Sequence, residues 1–425
     1  MNLTRTRSPQ NGEGPHDHAS SPPLRLLATL LIGLGFGWTP GCGESQRPGP
    51  QLKVSSDATA PGVVADTPPA TAPAATMDLD RAYVIGPTAA RKTSYRIDWQ
   101  AQTYPREGSG MRLITLQDDA VFALDGRNFL TRLRREDGDR VWRIPVADAV
   151  EAILGITYLP NAGQVFLTTD AAVLVLDAAT GLQVDRQRLE KIAGTEPVVY
   201  GPFLIYGARN GQLVWHSFEV AFQWRAYQVA PSIRLPPVYE AGYLVTVGGD
   251  GTVMVLDAAS ASQLWSRKLL DEVDAVPAAG HGTVFVAGID QHVWAFDLGT
   301  GRRMWRYLTE SPLTESPVLI DDRLYQQIPS EGLVCFAALP LDSPGGEVIW
   351  KASGVTGSVL TRRRDNLLTW DPERRRLTLV GAADGAVVET IDLPAASHLL
   401  TSGRTEGDLY AASDDGRVVR LVPRN

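Results

Sequence analysis

From about residue 95 onward, apolar and polar positions alternate in short runs, and the runs recur in blocks. Each block opens with a short apolar strand, often led by Pro. A second apolar strand, a turn, a third strand, another turn and a fourth strand follow. Residues 242–269 (GYLVTVGGDGTVMVLDAASASQLWSRKL) and 282–308 (GTVFVAGIDQHVWAFDLGTGRRMWRYL) show the pattern, and 163–189 repeats it. The strands are rich in Val, Ile, Leu, Phe and Tyr, as half-buried β-strands are. Asp-Gly, Asn-Gly and Thr-Gly pairs supply the positive-φ positions of tight hairpins.

The period is read on the fourth strand. Equivalent positions fall at Trp99, Trp142, Asp185, Trp224, Trp265, Trp305, Trp350 and Glu389, at spacings of 43, 43, 39, 41, 40, 45 and 39. A unit of about forty residues cannot cover both its apolar faces, so neighbours must stack around an axis. The predicted fold is all-β: an eight-bladed β-propeller of four-stranded antiparallel blades. After Glu389 only three strands remain, near 397–401, 407–413 and 417–423. The segment 94–102 (SYRIDWQAQ) is predicted to supply the missing fourth strand and close the ring, leaving no open edge between the ends. Trp215, Trp294 and Trp370 lie within strands and are expected to pack between blades.

The amino terminus follows other rules. Leu26–Trp38 is an apolar run of 13 residues, too short and Gly-rich to span a bilayer and suited to the core of an export signal. Thr39-Pro40-Gly41-Cys42 follows. It resembles a bacterial lipoprotein processing box, with Thr39 where Leu is usual and Pro40 an uncommon neighbour. That resemblance implies a lipid on Cys42 and a membrane-surface location. Gly43, not Asp, stands next, which in the Gram-negative pattern favours the outer membrane. Residues 43–80 are rich in Pro, Ala, Ser and Thr and cannot bury enough surface to fold. Fully extended, this tether reaches about 120 Å at ~3.3 Å per residue. The expected organisation is an export and lipoprotein signal (1–42), a tether (43–80) and a propeller (81–425).

Composition narrows the chemistry. The formal net charge is −8, and the first 42 residues hold three Arg against two acids, so the remainder is more acidic still. That balance argues against general nucleic-acid binding. Two cysteines, Cys42 and Cys335, cannot form a disulfide framework, and Cys335 within an apolar strand is expected to be a buried thiol. The six histidines are dispersed without metal-ligand spacing. Asp170, Asp250, Asp290 and Asp414 are read as formers of the turn between second and third strands. Arg362–Arg364 and Arg374–Arg376 flank one strand, so they are expected on opposite faces. Ordinary solvated turns, or an acidic partner or anionic lipid, would account for them. No nucleophile–His–acid pattern or phosphate-binding loop appears. A binding scaffold without catalytic or cofactor residues is the favoured reading.

The block 295–305 (AFDLGTGRRMW) resembles the tryptophan-docking repeat of quinoprotein propellers, which Asp297, Thr300, Gly301 and Trp305 match in full. Asp257 and Trp265 keep the ends of another copy, with Ala261 in place of Gly. Asp177, Thr180 and Gly181 keep a third without its Trp. Asp and Thr can bond turn amides, Gly takes the left-handed conformation, and Trp wedges between blades. Within that superfamily, the blade number, the lipoprotein-like start and the length resemble the BamB family of the outer-membrane β-barrel assembly machinery. Ser232-Ile233-Arg234 and Glu272-Val273-Asp274-Ala275-Val276-Pro277 are similar to that family's BamA-contacting segments and sit at the joints before and after the Trp265 blade. The resemblance implies that Ile233, Arg234, Glu272 and Asp274 bind an envelope protein such as a BamA-like partner, with Ile233 on an apolar partner surface. It also implies a monomer working within a complex, exported to the cell envelope and lipid-anchored at the outer membrane facing the periplasm. The runner-up readings are a quinoprotein dehydrogenase using pyrroloquinoline quinone and calcium, and an envelope sensor or polysaccharide-associated propeller.

Overall fold

The computed structural model describes residues 79–340 and 343–424. The signal-like run, Cys42 and all but the last two residues of the expected tether lie outside the described residues. Thirty-two strands form eight four-stranded antiparallel sheets. Blades 1 to 7 span 111–145, 153–188, 198–228, 238–268, 278–308, 318–352 and 358–392, each built from four consecutive strands. Blade 8 takes three strands from 398–423 and its fourth from Tyr95–Gln102, in the order fourth, third, second, first. Tyr95 pairs with Pro423 and Gln102 with Arg417, so the expected closure is the observed one. First strands of neighbouring blades touch around the axis, and fourth strands form the rim.

The eight apolar clusters mostly lie between neighbouring blades, where each sheet buries a face against the next. One polar contact recurs at each junction. The carbonyl of the residue after each third strand points at the preceding blade and receives a donor there. Five fourth-strand tryptophans supply it through Nε1: Trp99 to Arg135, Trp142 to Ala178, Trp265 to Leu298, Trp305 to Ala338 and Trp350 to Ala382, at 2.8 to 3.1 Å. A buried carbonyl left without a donor would cost about 1–3 kcal/mol, so each junction needs some donor.

Three junctions lack that tryptophan and each finds a substitute. In blade 2, Gln187 Nε2 bonds the Phe218 carbonyl at 2.8 Å. In blade 3, Trp215 reaches the Ala258 carbonyl at 3.0 Å from the third strand. At the junction of blades 7 and 8, Arg363 and Arg364 both donate to the Arg424 carbonyl, Arg364 at 2.9 Å. One expectation changes here. The position equivalent to the docking tryptophans in blade 3 is Arg225, which faces Trp215 across the ladder just before a bulge. Trp224 is the bulged residue, points outward and stacks on Phe203 at 5.0 Å. With Arg225 in place, Asp185, Arg225, Trp265 and Trp305 follow at a constant interval of 40 residues.

The degraded turn motifs follow from the same contacts. Gly301 has φ +68°, and a Cβ there would come within 2.5 Å of the Trp265 ring. Ala261 tolerates its side chain at φ 54° because Arg225, not an indole, occupies the opposing position. The Thr300 hydroxyl and amide bond Asp297 Oδ1 at 2.7 and 2.8 Å, holding that carboxyl below its ordinary pKa. Trp215, Trp294 and Trp370 are buried in interblade clusters, as expected.

Two short helices, Leu79–Ala82 and Pro87–Lys92, precede the closing strand and had no counterpart in the repeat pattern. Val84, Ile85 and Ala90 bury against Ile391, Leu393 and Ala396 of blades 7 and 8. Lys92 Nζ meets Glu389 at 2.8 Å, the position where other blades carry the docking indole. The helices thus cover one of the two junctions whose fourth strand presents a carboxylate at that position, the other being that of Asp185 in blade 2.

Candidate functional site

The fourth-to-first-strand joints and the second-to-third-strand turns share one face of the disc. The two joints singled out in the sequence flank blade 4 on that face. Within these joints the stretches 232–234 and 272–274 run without a turn or bend, and each is clipped to the following blade. Gly249 N donates to the Ser232 carbonyl at 2.9 Å, and Ile289 N to the Glu272 carbonyl at 3.0 Å. Extended backbone sends alternate side chains in opposite directions. Val273, Ala275 and Pro277 are therefore buried, while Glu272 and Asp274 are exposed.

Arg234, Glu272 and Asp274 come together although 38 and 40 residues separate the arginine from its partners. Arg234 Nη2 lies 2.8 Å from Glu272 Oε2 and 3.3 Å from Asp274 Oδ1. All three side chains are about half exposed. The Glu272 hydrogen bond, its charge and that of Asp274 raise the Arg234 pKa above its ordinary value. Gly249 makes room for the group, since a Cβ there would stand 2.6 Å from Ser232 Oγ and 3.4 Å from Arg234 Nε. Exposed pairs of this kind contribute about 0–1 kcal/mol to stability. These charges are therefore not needed for folding and remain open to a competing partner.

Ile233 does not join them. It is only 1% exposed, and a Cβ on Gly207 would lie 2.4 Å from its Cγ2. The expectation that it packs on a partner is corrected: its side chain plugs blades 3 and 4 and thereby orients Arg234 outward. The forty-residue register carries this signal, because Ala193, Ile233, Val273 and Leu313 are equivalent and all buried. Beside the group, Leu270 is 80% exposed, two residues before Glu272, and Val150 and Ile192 are exposed at other joints of the same face. Forty residues away from Leu270 stand Ala230, which is buried, and Glu310, and eighty away stands Glu190, so an exposed leucine here is a break in pattern that the motif comparison did not register.

The other singled-out residues stay apart. Asp170, Asp250, Asp290 and Asp414 sit in the expected turns of four different blades. Asp250 accepts from the Thr252 amide at 3.1 Å and meets Lys268 at 2.5 Å; Asp290 accepts from the His292 amide at 3.2 Å. Calcium takes about six to eight converging oxygens. Among the described residues no three His, Cys, Asp or Glu side chains gather to hold a metal ion. The arginine triplets emerge on opposite faces, with Arg362 on Asp321, Arg363 on Glu406, Arg374 on Asp371, Arg375 on Asp414 and Arg376 on Asp392. Cys335 is buried, and desolvation pushes its thiol up to about 12.

Comparison with known proteins places the architecture. The family model described as outer membrane protein assembly factor BamB matches residues 88–201 and 204–339, more than half of the chain. Outer membrane protein assembly factor BamB of Escherichia coli (strain K12) is 23% identical over 333 residues, covering 72% of this chain and 83% of that protein. Its counterpart in Salmonella typhimurium (strain LT2) is 22% identical over 331 residues, covering 72% and 82%. The crystal structure of BamB from Moraxella catarrhalis superposes with a TM-score of 0.60 at 18% identity, covering 77% of this chain and 97% of that one.

Proposed function

The chain belongs to the family of outer membrane protein assembly factor BamB, and from that premise we propose that it is an envelope scaffold that captures a barrel-assembly protein on the face bearing Arg234. The observation that carries the reading is the convergence of Arg234, Glu272 and Asp274 from two joints onto one exposed point. The similar proteins from Escherichia coli and Salmonella typhimurium are named as outer membrane assembly factors, which supports the same role here.

In this reading a BamA-like partner offers a carboxylate to Arg234 and a cation or amide donors to Glu272 and Asp274. It replaces the internal ion pairs one for one, so no charge is stranded during exchange. Leu270 supplies the apolar contact first assigned to Ile233, and Ile233 fixes the backbone beneath. Export and lipidation at Cys42 would hold the disc at the outer membrane, facing the periplasm, with 43–80 as its tether. The propeller then acts by presenting surfaces, not by catalysis. Crosslinking in intact cells followed by affinity capture tests the role: recovery of a BamA-like barrel protein is expected, and consistent capture of other envelope proteins without it would refute the assignment. Labelling with a radioactive fatty acid should mark the wild type and not Cys42→Ser.

A further inference from the structure

The first strands form the wall of the axial channel, and between blades 7, 8 and 1 that wall is recessed. The recess is a cavity of about 400 Å³, within the range of small-molecule sites. Half-buried Leu116, Leu360 and Leu400, one from each blade, give it an apolar floor. Its rim is the turn between the first and second strands of blade 8, which brings Ser402 and Arg404 to the opening. This is the disc face opposite Arg234.

The turn is held in place by main-chain bonds. Arg362 N donates to the Arg404 carbonyl and Glu406 N to the Arg362 carbonyl, both at 2.8 Å. Acids of the same turn are committed elsewhere. Glu406 binds Arg363 and the Arg364 amide, and Asp408 binds Arg420 at 2.7 Å. Arg404 itself has only the carbonyls of Val359 and Leu360, each at 3.4 Å, with no carboxylate partner among the described residues. Crowding by protein lowers its pKa, yet a guanidinium stays charged. A pre-placed cation without a counter-ion, at the edge of an apolar recess, is complementary to one kind of small molecule.

We propose that this recess binds a small amphipathic monoanion, its carboxylate on Arg404 and its apolar body against Leu116, Leu360 and Leu400. The same chemistry is presented by a free aliphatic acid and by the C-terminus of a short apolar peptide. Calorimetry on the full chain with decanoate, and separately with acetyl-trileucine as free acid and as amide, tells the two sources apart. Saturable one-site binding of decanoate or of the free-acid peptide is expected, with decanol, acetate and the amidated peptide weaker by about tenfold or more, the scale of one charge-assisted hydrogen bond. Arg404→Gln should weaken the binding anion by about tenfold with an unchanged melting temperature, and Leu400→Ser should weaken it while keeping the preference for the charged form. Failure of both anions to bind saturably, or equal binding by Arg404→Gln, would overturn the proposal.

Discussion

Trp224 and Trp265 occupy nearly the same place in the repeat, and the structure assigns them opposite importance. Trp265 is 5% exposed, packs on Phe296 and donates to the Leu298 carbonyl at 2.8 Å. Replacing it by Phe removes the donor and one ring. The stranded carbonyl costs about 1–3 kcal/mol. The void left by the smaller ring adds about 1 kcal/mol or more. A loss of roughly 2–4 kcal/mol follows. Trp215→Phe should cost about as much, because Trp215 is fully buried and serves the Ala258 carbonyl. Trp224→Phe should stay within about 0.5 kcal/mol, since its indole lies outside on Phe203 and an aromatic pair survives the change. Urea unfolding followed by far-UV circular dichroism avoids the ten overlapping tryptophan signals, and a single transition should be checked before energies are compared. Equal destabilisation by Trp224→Phe and Trp265→Phe, or a neutral Trp215→Phe, would refute the junction rule.

Gly301→Ala should cost more than about 1 kcal/mol, seen as a lowered urea midpoint, because it places a methyl against the Trp265 ring at a positive φ. Burial works to raise the Asp371 pKa, but bonds from Thr356 at 2.6 Å and Arg374 at 2.8 Å outweigh it and bring the group down to about 2. Its contribution, about 2 kcal/mol at ~1.36 kcal/mol per unit, is fully present above pH 3.8 and is lost as pH falls toward 2; unfolding of Asp371→Asn measured between pH 5 and 2 should show a correspondingly shallower fall. Iodoacetamide at pH 8 should leave Cys335 unmodified in the folded protein and alkylate it in urea, as mass spectrometry would register, because the thiolate is suppressed by burial.

The all-β ring was legible because its signals are local and repeated: alternation, turn pairs and a constant interval. The closing strand was legible because an unpaired fourth strand and a three-stranded remainder stood at opposite ends. What escaped depends on contacts between blades. Trp224 and Arg225 differ by one place, and only the bulge in the ladder decides which of them faces inward. The substitutes Gln187, Trp215 and Arg364 come from three different positions, so no repeat comparison identifies them. The two helices bury apolar residues too few and too irregular to announce themselves. At the candidate site, motif similarity picked out Arg234, Glu272 and Asp274, which the structure brings together on one face. It misjudged Ile233, since a short motif carries no information about which side of an extended joint is covered.

The most direct test of the scaffold account is a binding titration of the full chain against a purified BamA-like partner, comparing Arg234→Glu with Arg302→Glu. Arg302 is an exposed arginine in the third-to-fourth-strand turn of blade 5, on the opposite face. The account predicts that Arg234→Glu lowers affinity by about tenfold or more, as expected for reversing a charge at an interface. Arg302→Glu should bind as wild type, and both variants should melt at the wild-type temperature. Equal affinity of the two variants, or loss of binding with Arg302→Glu alone, would contradict it.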